Sequence, residues 1–296
     1  MNNSPIPLDS ATIILLREAI GEHFEIYLMR RHRNHKFMGG AYVFPGGKLD
    51  KEDCIPELFT YGNSLSIEEV KQSLQEPDIP EEKAFGLFFN AIRETFEEAG
   101  ILFAYKSSGE IINFSDADTR QKFAGYRLQI YEKKLSLYNL AKMENLQYSL
   151  DLLSPYSHWI TPEIESKRFN TRFLLGIAPM GQVAAHDNME MTESKWITPS
   201  NALKEHNTGK ILLMPPTLKT IEELNEFHST DSLIDSTKSR KINIILPQAF
   251  IDGEIFGVKL PHDPDYTIKE FKIPLRPGEP SRIAMRDGKW RTEYKG

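Results

Sequence analysis

The sequence holds a single cysteine, Cys54, in 296 residues, so no intramolecular disulfide can form and a secreted, disulfide-built scaffold is excluded. Long apolar runs are missing as well. No stretch approaches the roughly 18 residues that a membrane helix needs, and the opening MNNSPIPLDS lacks the basic and apolar segments of a leader. The ending Tyr294-Lys295-Gly296 is neither a peroxisomal address nor a lipidation signal. A soluble chain of the reducing cytoplasm, with no membrane partner, is therefore expected. A basic surplus is also lacking: the net charge is −6 with 26% charged residues, which argues against duplex nucleic acid as a partner. What is present is 40% hydrophobic residues, enough to bury a core.

Two short apolar runs, residues 11–16 and 24–29, flank the turn-like Gly21-Glu22 and suit a hairpin. A strand at 41–44 stops at Pro45-Gly46-Gly47. Residues 51–82 are polar and punctuated by Pro56, Gly62, Pro77 and Pro80, as an insertion with a short helix near 67–74 would be. A helix is expected over 81–99 with Gly100 as its C-terminal cap, then a strand at 101–104 and one or two further helices within 118–147. His158-Trp159-Ile160-Thr161-Pro162 and Lys195-Trp196-Ile197-Thr198-Pro199 echo one another, each reading as a strand that hands over to a helix with Thr as N-cap and Pro in first position. Residues 172–178 form a strand, a helix follows Pro215-Pro216 to about Phe227, and the Ser/Thr/Asp-rich stretch 228–239 reads as a linker. Beyond it come strand-and-turn patterns, with Asp287-Gly288 as a hairpin turn. Alternating strands and helices give an α/β sandwich with a mixed sheet. The domain spans residues 1–228, with helical insertions at about 54–82 and 110–155. An extension, 229–296, carries strands and no legible chemistry; it is left open between covering the site, extending the sheet and forming a homodimer contact.

On a helical wheel, Phe85, Phe88, Phe89, Ile92, Phe96 and Ala99 of the 81–99 helix share one face within about 60°. Glu94, Glu97 and Glu98 gather opposite, at i, i+3 and i+4. An amphipathic helix often has a solvated acidic face. Three clustered carboxylates nevertheless repel one another, and after Lys83 the helix offers only Arg93 as a cation, one turn before Glu97. A divalent ion with oxygen ligands relieves that repulsion.

Gly47, followed downstream by Arg93-Glu94-Thr95-Phe96-Glu97-Glu98-Ala99-Gly100-Ile101, resembles the Nudix box, G-x5-E-x7-R-E-U-x-E-E-x-G-U, where U is aliphatic. The resemblance implies that Glu97 and Glu98 ligate magnesium or manganese, that Glu94 is a further ligand or the general base, that Arg93 orients a glutamate and that the Gly46 carbonyl reaches the metal. Gly47 and Arg93 stand 46 positions apart where the pattern has 14, so 32 residues interrupt the box. Counting forward from Gly47 puts Asp53 at the early acidic position, whereas counting back from Arg93 puts Phe85 there, which leaves that carboxylate unplaced.

Upstream, Arg31, Gly40, Phe44, Pro45, Gly46 and Gly47 resemble the coenzyme A motif of CoA-diphosphatase Nudix enzymes, with His32 in place of a small residue and Lys36 in place of a second arginine. Together with the Trp159 segment and Arg168-Phe169-Asn170-Thr171-Arg172-Phe173, the interrupted box is similar to the mammalian peroxisomal acyl-CoA diphosphatase branch. This implies a small-molecule substrate, CoA or acyl-CoA, cleaved at its diphosphate, with Arg31, Lys36, Phe44, Gly47 and Arg168 as its contacts. Glu193, or nearby Glu190, would serve as base or extra ligand, and His186-Asp187 reads as structural. The rival expectations are another nucleoside diphosphate derivative, such as ADP-ribose, a nucleotide sugar or a dinucleotide, and a Nudix-fold module that binds nucleotide without turnover.

Overall fold

The computed structural model describes residues 4–19, 24–33, 38–62, 65–187 and 189–295. The chain begins with β1 (Leu8–Glu18), β2 (Phe24–Arg31), β3 (Tyr42–Val43) and β4 (Gly46–Lys48), then a 3-10 turn at Lys51–Cys54. Helices α1 (Pro56–Phe59), α2 (Ile67–Leu74) and α3 (Glu81–Ala99) lead to β5 (Ala104–Tyr105), α4 (Ala117–Tyr131), α5 (Leu137–Glu144) and β6 (Gln147–Tyr148). Next come β7 (Ser154–Ile160), β8 (Phe169–Ile177), β9 (Met191–Ile197), α6 (Pro199–Asn207), α7 (Pro215–Leu224) and α8 (Thr230–Thr237). The last strands are β10 (Ile244–Ile245), β11 (Gln248–Asp252), β12 (Ile255–Lys259), β13 (Arg282–Arg286) and β14 (Lys289–Glu293).

The main sheet is mixed and runs β10-β7-β8-β1-β2-β3, with β4 also on β1 and β9 on β2. β1 organises it. One edge pairs with β8 in parallel along nine residues; the other is shared, its start held by β4 and its end by β2. Because both faces are covered, β1 reads as a continuous apolar run. Ala11, Ile13 and Leu15 enter one core with α3, while Ile14 and Leu16 enter a second with α6 and α7. The expected sandwich is therefore present. The hairpin of β1 and β2 forms as expected, although its turn at Gly21-Glu22 lies outside the described residues.

The helix expected over 81–99 forms with those bounds, and Gly100 ends it in the left-handed conformation, its N–H bonded to the Phe96 carbonyl. The strand expected at 101–104 is absent. Residues 101–103 are buried outside any strand, with the Gln182 side chain bonding the Leu102 backbone and the Ser149 N–H donating to the Phe103 carbonyl, and pairing starts only at Ala104 against Tyr148. The two Trp segments part company after their strands. Thr198 caps α6 through the Asn201 N–H, but Thr161 turns its hydroxyl to the Phe169 N–H and closes a loop between β7 and β8. The stretch expected as a linker contains α8, because Ser229 and Ser232 cap it reciprocally and Leu233 anchors it in the second core. Val258, Leu260, Ile283 and Trp290 join the same core, so the extension packs on the sandwich. Asp287 and Gly288 both take positive φ and close β13 onto β14 in a two-residue turn. Among the described residues no helix is long and apolar enough to cross a membrane.

The first insertion is tied to the sheet by a buried ionic group. Arg172 of β8 grips Glu76 with two nitrogens at 2.9 and 2.6 Å and donates to Asp9 at 2.8 Å, where Lys83 of α3 also lands at 2.8 Å. Burial alone would raise the Asp9 carboxyl, but Lys83 and Arg172 outweigh it and hold it below the ordinary value. His158 lies beside them with Nε2 2.5 Å from Asn170 Oδ1, and burial followed by the Arg172 charge depresses its pKa below 6.5. Its 3.7 Å approach to Glu76 is therefore not an ion pair near neutrality. A histidine that protonates less readily when folded contributes stability above its unfolded pKa and loses it as pH falls. We expect thermal melts to show a decline as pH falls below 6.5, and that decline to be flattened in His158→Gln. An unchanged decline in the variant would assign the acid sensitivity elsewhere.

Candidate metal and diphosphate site

The acidic face of α3 is not solvated. Asn90, fully buried one turn before Glu94, accepts the Ala11 N–H at 2.9 Å and donates to the Lys48 carbonyl at 2.9 Å, fastening the helix to β1 and β4. That fastening sets the glycine edge of β4 against the carboxylates. The Gly46 N–H donates to Glu98 Oε2 at 2.9 Å, and a Cβ on Gly47 would lie 2.4 Å from the Glu94 carboxyl carbon. On Gly46 a Cβ would meet the Ala11 carbonyl at 2.5 Å. Only glycine permits this approach from either position. The 32-residue interruption therefore loops out and returns α3 beside the glycines.

Arg93 holds the acids in order. Its Nε and Nη2 grip both oxygens of Asp53 at 2.8 and 3.0 Å, while Nη1 donates to Glu94 at 2.9 Å and Glu97 at 2.8 Å. Asp53 thus fills the early acidic position and Phe85, a core residue, does not. An aspartate suffices because the 3-10 turn, with Asp53 accepting the Asp50 N–H, brings it to the helix. Burial tends to release the proton of Arg93, but Glu94, Asp53 and Glu97 outweigh it and keep the guanidinium charged. Burial pushes the Asp53 carboxyl up against the pull of Arg93.

The three glutamates all have raised pKa values, with burial the largest cause in each. For Glu98 the charge of Glu94 comes next, opposed by the Gly46 N–H and the charge of Arg31. Among the described residues no three acidic, His or Cys side chains converge on one ion-sized point, since Glu94 and Glu97 turn to Arg93 and Glu98 to Gly46. The donor set still fits a hard divalent cation: oxygen ligands, like-charged, desolvated and short of positive charge.

The second insertion supplies a clamp that sequence reasoning missed. Arg127 of α4 donates to the Glu97 and Glu98 carbonyls at 2.8 and 2.9 Å and to the Ala185 carbonyl at 2.9 Å. A cation there satisfies the orphan carbonyls and the negative end of the α3 dipole. From just beyond α4, Lys133 reaches Asp50 at 3.1 Å on the rim.

Other expected contacts fall elsewhere. Phe44 packs in the second core, across the sheet from α3. Arg168 is buried and spends its donors on the Thr161 and Pro5 carbonyls and Ser4 Oγ, fixing the start of β1. Glu193 pairs across strands with Arg30 on the face of Leu28 and Tyr42, takes Arg30 as a 3.6 Å ion-pair partner, and accepts from the Tyr42 hydroxyl, so the sheet separates it from the cluster. Glu190, in the loop before β9, is the acid whose charge reaches Glu98. Asp187 accepts the Met189 and Met191 N–H groups at 2.9 and 3.1 Å and His186 contacts Ser194 at 2.9 Å, so this pair shapes the loop. Lys36 lies outside the described residues.

Residues 8–224 match the family model described as the NUDT19 Nudix domain. The chain is 26% identical over 236 residues to an acyl-coenzyme A diphosphatase NUDT19 of Xenopus laevis, covering 71% of this chain and 62% of that protein. To the human protein of that name it is 26% identical over 239 residues, covering 72% and 63%. The Gallus gallus counterpart is 24% identical over 306 residues, covering 90% and 80%. The chain thus spans less than two thirds of the frog and human relatives. A crystal structure of a Nudix hydrolase from Alicyclobacillus acidocaldarius superposes with a TM-score of 0.64 at 20% identity, over 78% of this chain and 96% of that one, which shows the shared fold. With a buried Arg-Glu-Glu-Glu helix against a glycine edge, and a family model matching most of its length, the chain belongs to the NUDT19 group of the Nudix family.

Proposed function

We propose that the chain is a diphosphatase dependent on magnesium or manganese that cleaves CoA or acyl-CoA to adenosine 3',5'-bisphosphate and (acyl-)phosphopantetheine. The observation that carries this reading is the contact of the Gly46-Gly47 edge with Glu94 and Glu98, which leaves a cluster of desolvated carboxylates beside bare backbone. The substrate is supported by the activity for which the relatives are named and by Arg31, whose charge lies close to Glu98. The lone cysteine suits a reducing compartment such as the cytoplasm.

Glu94, Glu97 and Glu98, with the Gly46 carbonyl, would hold the metal. When bound, the ion neutralises phosphate oxygens and acidifies a water. The chain's own part begins with Arg93, which keeps Glu94 and Glu97 oriented while Asp53 anchors the guanidinium. Gly47 keeps the approach to Glu94 open, so a diphosphate can lie against backbone. Arg31 binds a phosphate oxygen of the substrate. The proton of the attacking water passes to a carboxylate on the α3 side of the sheet, Glu94 or Glu190, rather than to Glu193. Arg127 holds the helix end that carries Glu97 and Glu98.

Purified protein with magnesium or manganese is expected to convert CoA to adenosine 3',5'-bisphosphate, detected by chromatography. Intact CoA alongside cleaved ADP-ribose would overturn the substrate and retain the chemistry. Glu98→Gln is expected to lower turnover by on the order of a thousandfold. Because it removes a desolvated charge while retaining an acceptor for Gly46, its metal-free melting temperature should equal or exceed that of the parent. A markedly unstable variant would instead make Glu98 structural.

Arg127→Met should weaken metal binding, read by titration of manganese, more than it lowers the metal-free melting temperature. Equal loss in both would reduce Arg127 to a packing residue.

A further inference from the structure

Across the sheet from α3, an open cleft of about 500 Å³ lies between α7, the segment leading into β10 and the loop before β13. That size falls within the roughly 300–1,000 Å³ of small-molecule sites. It adjoins an inner pocket of about 40 Å³, and the two share Lys219, Glu223, Arg240, Lys241, Arg276 and Glu279. In the inner pocket four cations thus face two carboxylates, whereas Glu222 and Glu226 line the outer cleft as well and leave it without net charge. Glu223 is divided between Arg240, in direct contact, and Lys219 at 3.6 Å, and Glu279 takes Arg276 at 3.3 Å. Lys219 is only 8% exposed, an unusual place for an ammonium, and the carboxylate of its ion pair is shared. Arg240 is held rigidly, over the Tyr156 ring at 4.0 Å with its Nε donating to the Tyr156 carbonyl at 2.9 Å.

The inner pocket adds an independent signal. Ser157 lines it, is 7% exposed, and its buried hydroxyl has no hydrogen-bond partner among the described residues. An unsatisfied buried hydroxyl costs about 1–3 kcal/mol and calls for a partner outside the chain. His262, also lining the pocket, is occupied by the Pro280 carbonyl at 3.1 Å. The inner pocket's surplus of about two positive charges equals the charge of a phosphomonoester near pH 7, and a hydroxyl donor completes its recognition. Leu218, Ile221 and Leu224 bury the other side of α7 in the second core, so the sheet stands between this cleft and the carboxylates of α3.

We propose that this cleft binds a phosphomonoester, with the phosphate inward on Lys219, Arg240, Arg276 and the Ser157 hydroxyl and the organic part along the outer cleft. The site is separate from the diphosphate-cleaving one and does not depend on that reading.

Calorimetric titration of the full chain in EDTA, where the bare carboxylates of α3 repel anions, tests it with inorganic phosphate and adenosine 5'-monophosphate, against chloride at equal ionic strength. One saturable site is expected, tighter for the monophosphate. Lys219→Met should weaken it at least about tenfold, the equivalent of one charge-assisted bond. Exposed Arg276→Gln should act in the same direction, which keeps the test decisive if Lys219→Met fails to fold, and Glu98→Gln should leave affinity unchanged. Absence of saturable binding, affinity untouched by Arg276→Gln, or affinity altered only by Glu98→Gln would overturn the proposal. Turnover is not measured, so a failed CoA assay leaves the result interpretable.

Discussion

A single guanidinium makes the acidic helix possible. Arg93 is nearly enclosed, yet it spends its donors on Asp53, Glu94, Glu97 and the Lys48 carbonyl, so each carboxylate it touches is partly neutralised and fixed in direction. Without it, carboxylates packed against β4 would repel and take up protons, and the helix could not lie against the glycine edge. Lysine could not substitute, because one ammonium cannot span a bidentate grip on Asp53 and two further acids in a planar fork. The interruption of the box is tolerated for the same reason. Asp53 stands just before the inserted residues and Arg93 two thirds along the helix after them, so their pairing closes the loop regardless of its length. The entropy of closing such a loop grows only by about 0.6 kcal/mol per doubling of length.

The second support of the site is the alternation of faces. Asn90, Glu94 and Glu98 recur at four-residue spacing on α3 and meet β1 and β4, while Phe85, Phe88, Phe89, Ile92 and Phe96 bury the first core. The helix therefore has two packed sides rather than one packed and one wet. The carboxylates' desolvation weakens the fold locally, and burial of the apolar side, at about 1.5–3 kcal/mol for each large side chain, offsets it. A rigid helix can thus carry charges that would unfold a loop.

Periodicity made α3 legible in the sequence to its end residues, since a nineteen-residue amphipathic run closed by Gly100 has few alternatives. The sandwich followed from strand runs around it. Pairing was harder. That Asp53 meets Arg93, or that Asn90 bridges two strands, depends on where an interrupted loop returns, which no local pattern states. Phe44 and Glu193 were expected at the site by resemblance, and a motif does not state which side of the sheet a residue takes: both lie on the side away from α3, and one residue along a strand exchanges the faces. Arg168 was expected at the substrate by the same resemblance, which does not state that the Thr161 and Pro5 carbonyls take its donors. The stretch 228–239 looked like a linker because serine and threonine serve both turns and helix caps, and only the burial of Leu233 separates the two.

The extension bears on the division of labour in the molecule. β10 lengthens the main sheet at the edge remote from β3, and Trp290 and Ile283 complete the core under α6 and α7. His206 ties that arrangement down, bonding the Trp290 carbonyl at 2.9 Å and accepting the Leu213 N–H at 3.2 Å. None of these contacts touches the α3 carboxylates. One side of the sheet therefore carries anionic groups that call for a cation, and the other carries a cationic inner pocket around Lys219, with two apolar layers between them. Opposite charges kept that far apart neither neutralise one another across the protein nor compete for the same ligand group, so each side retains its electrostatic character.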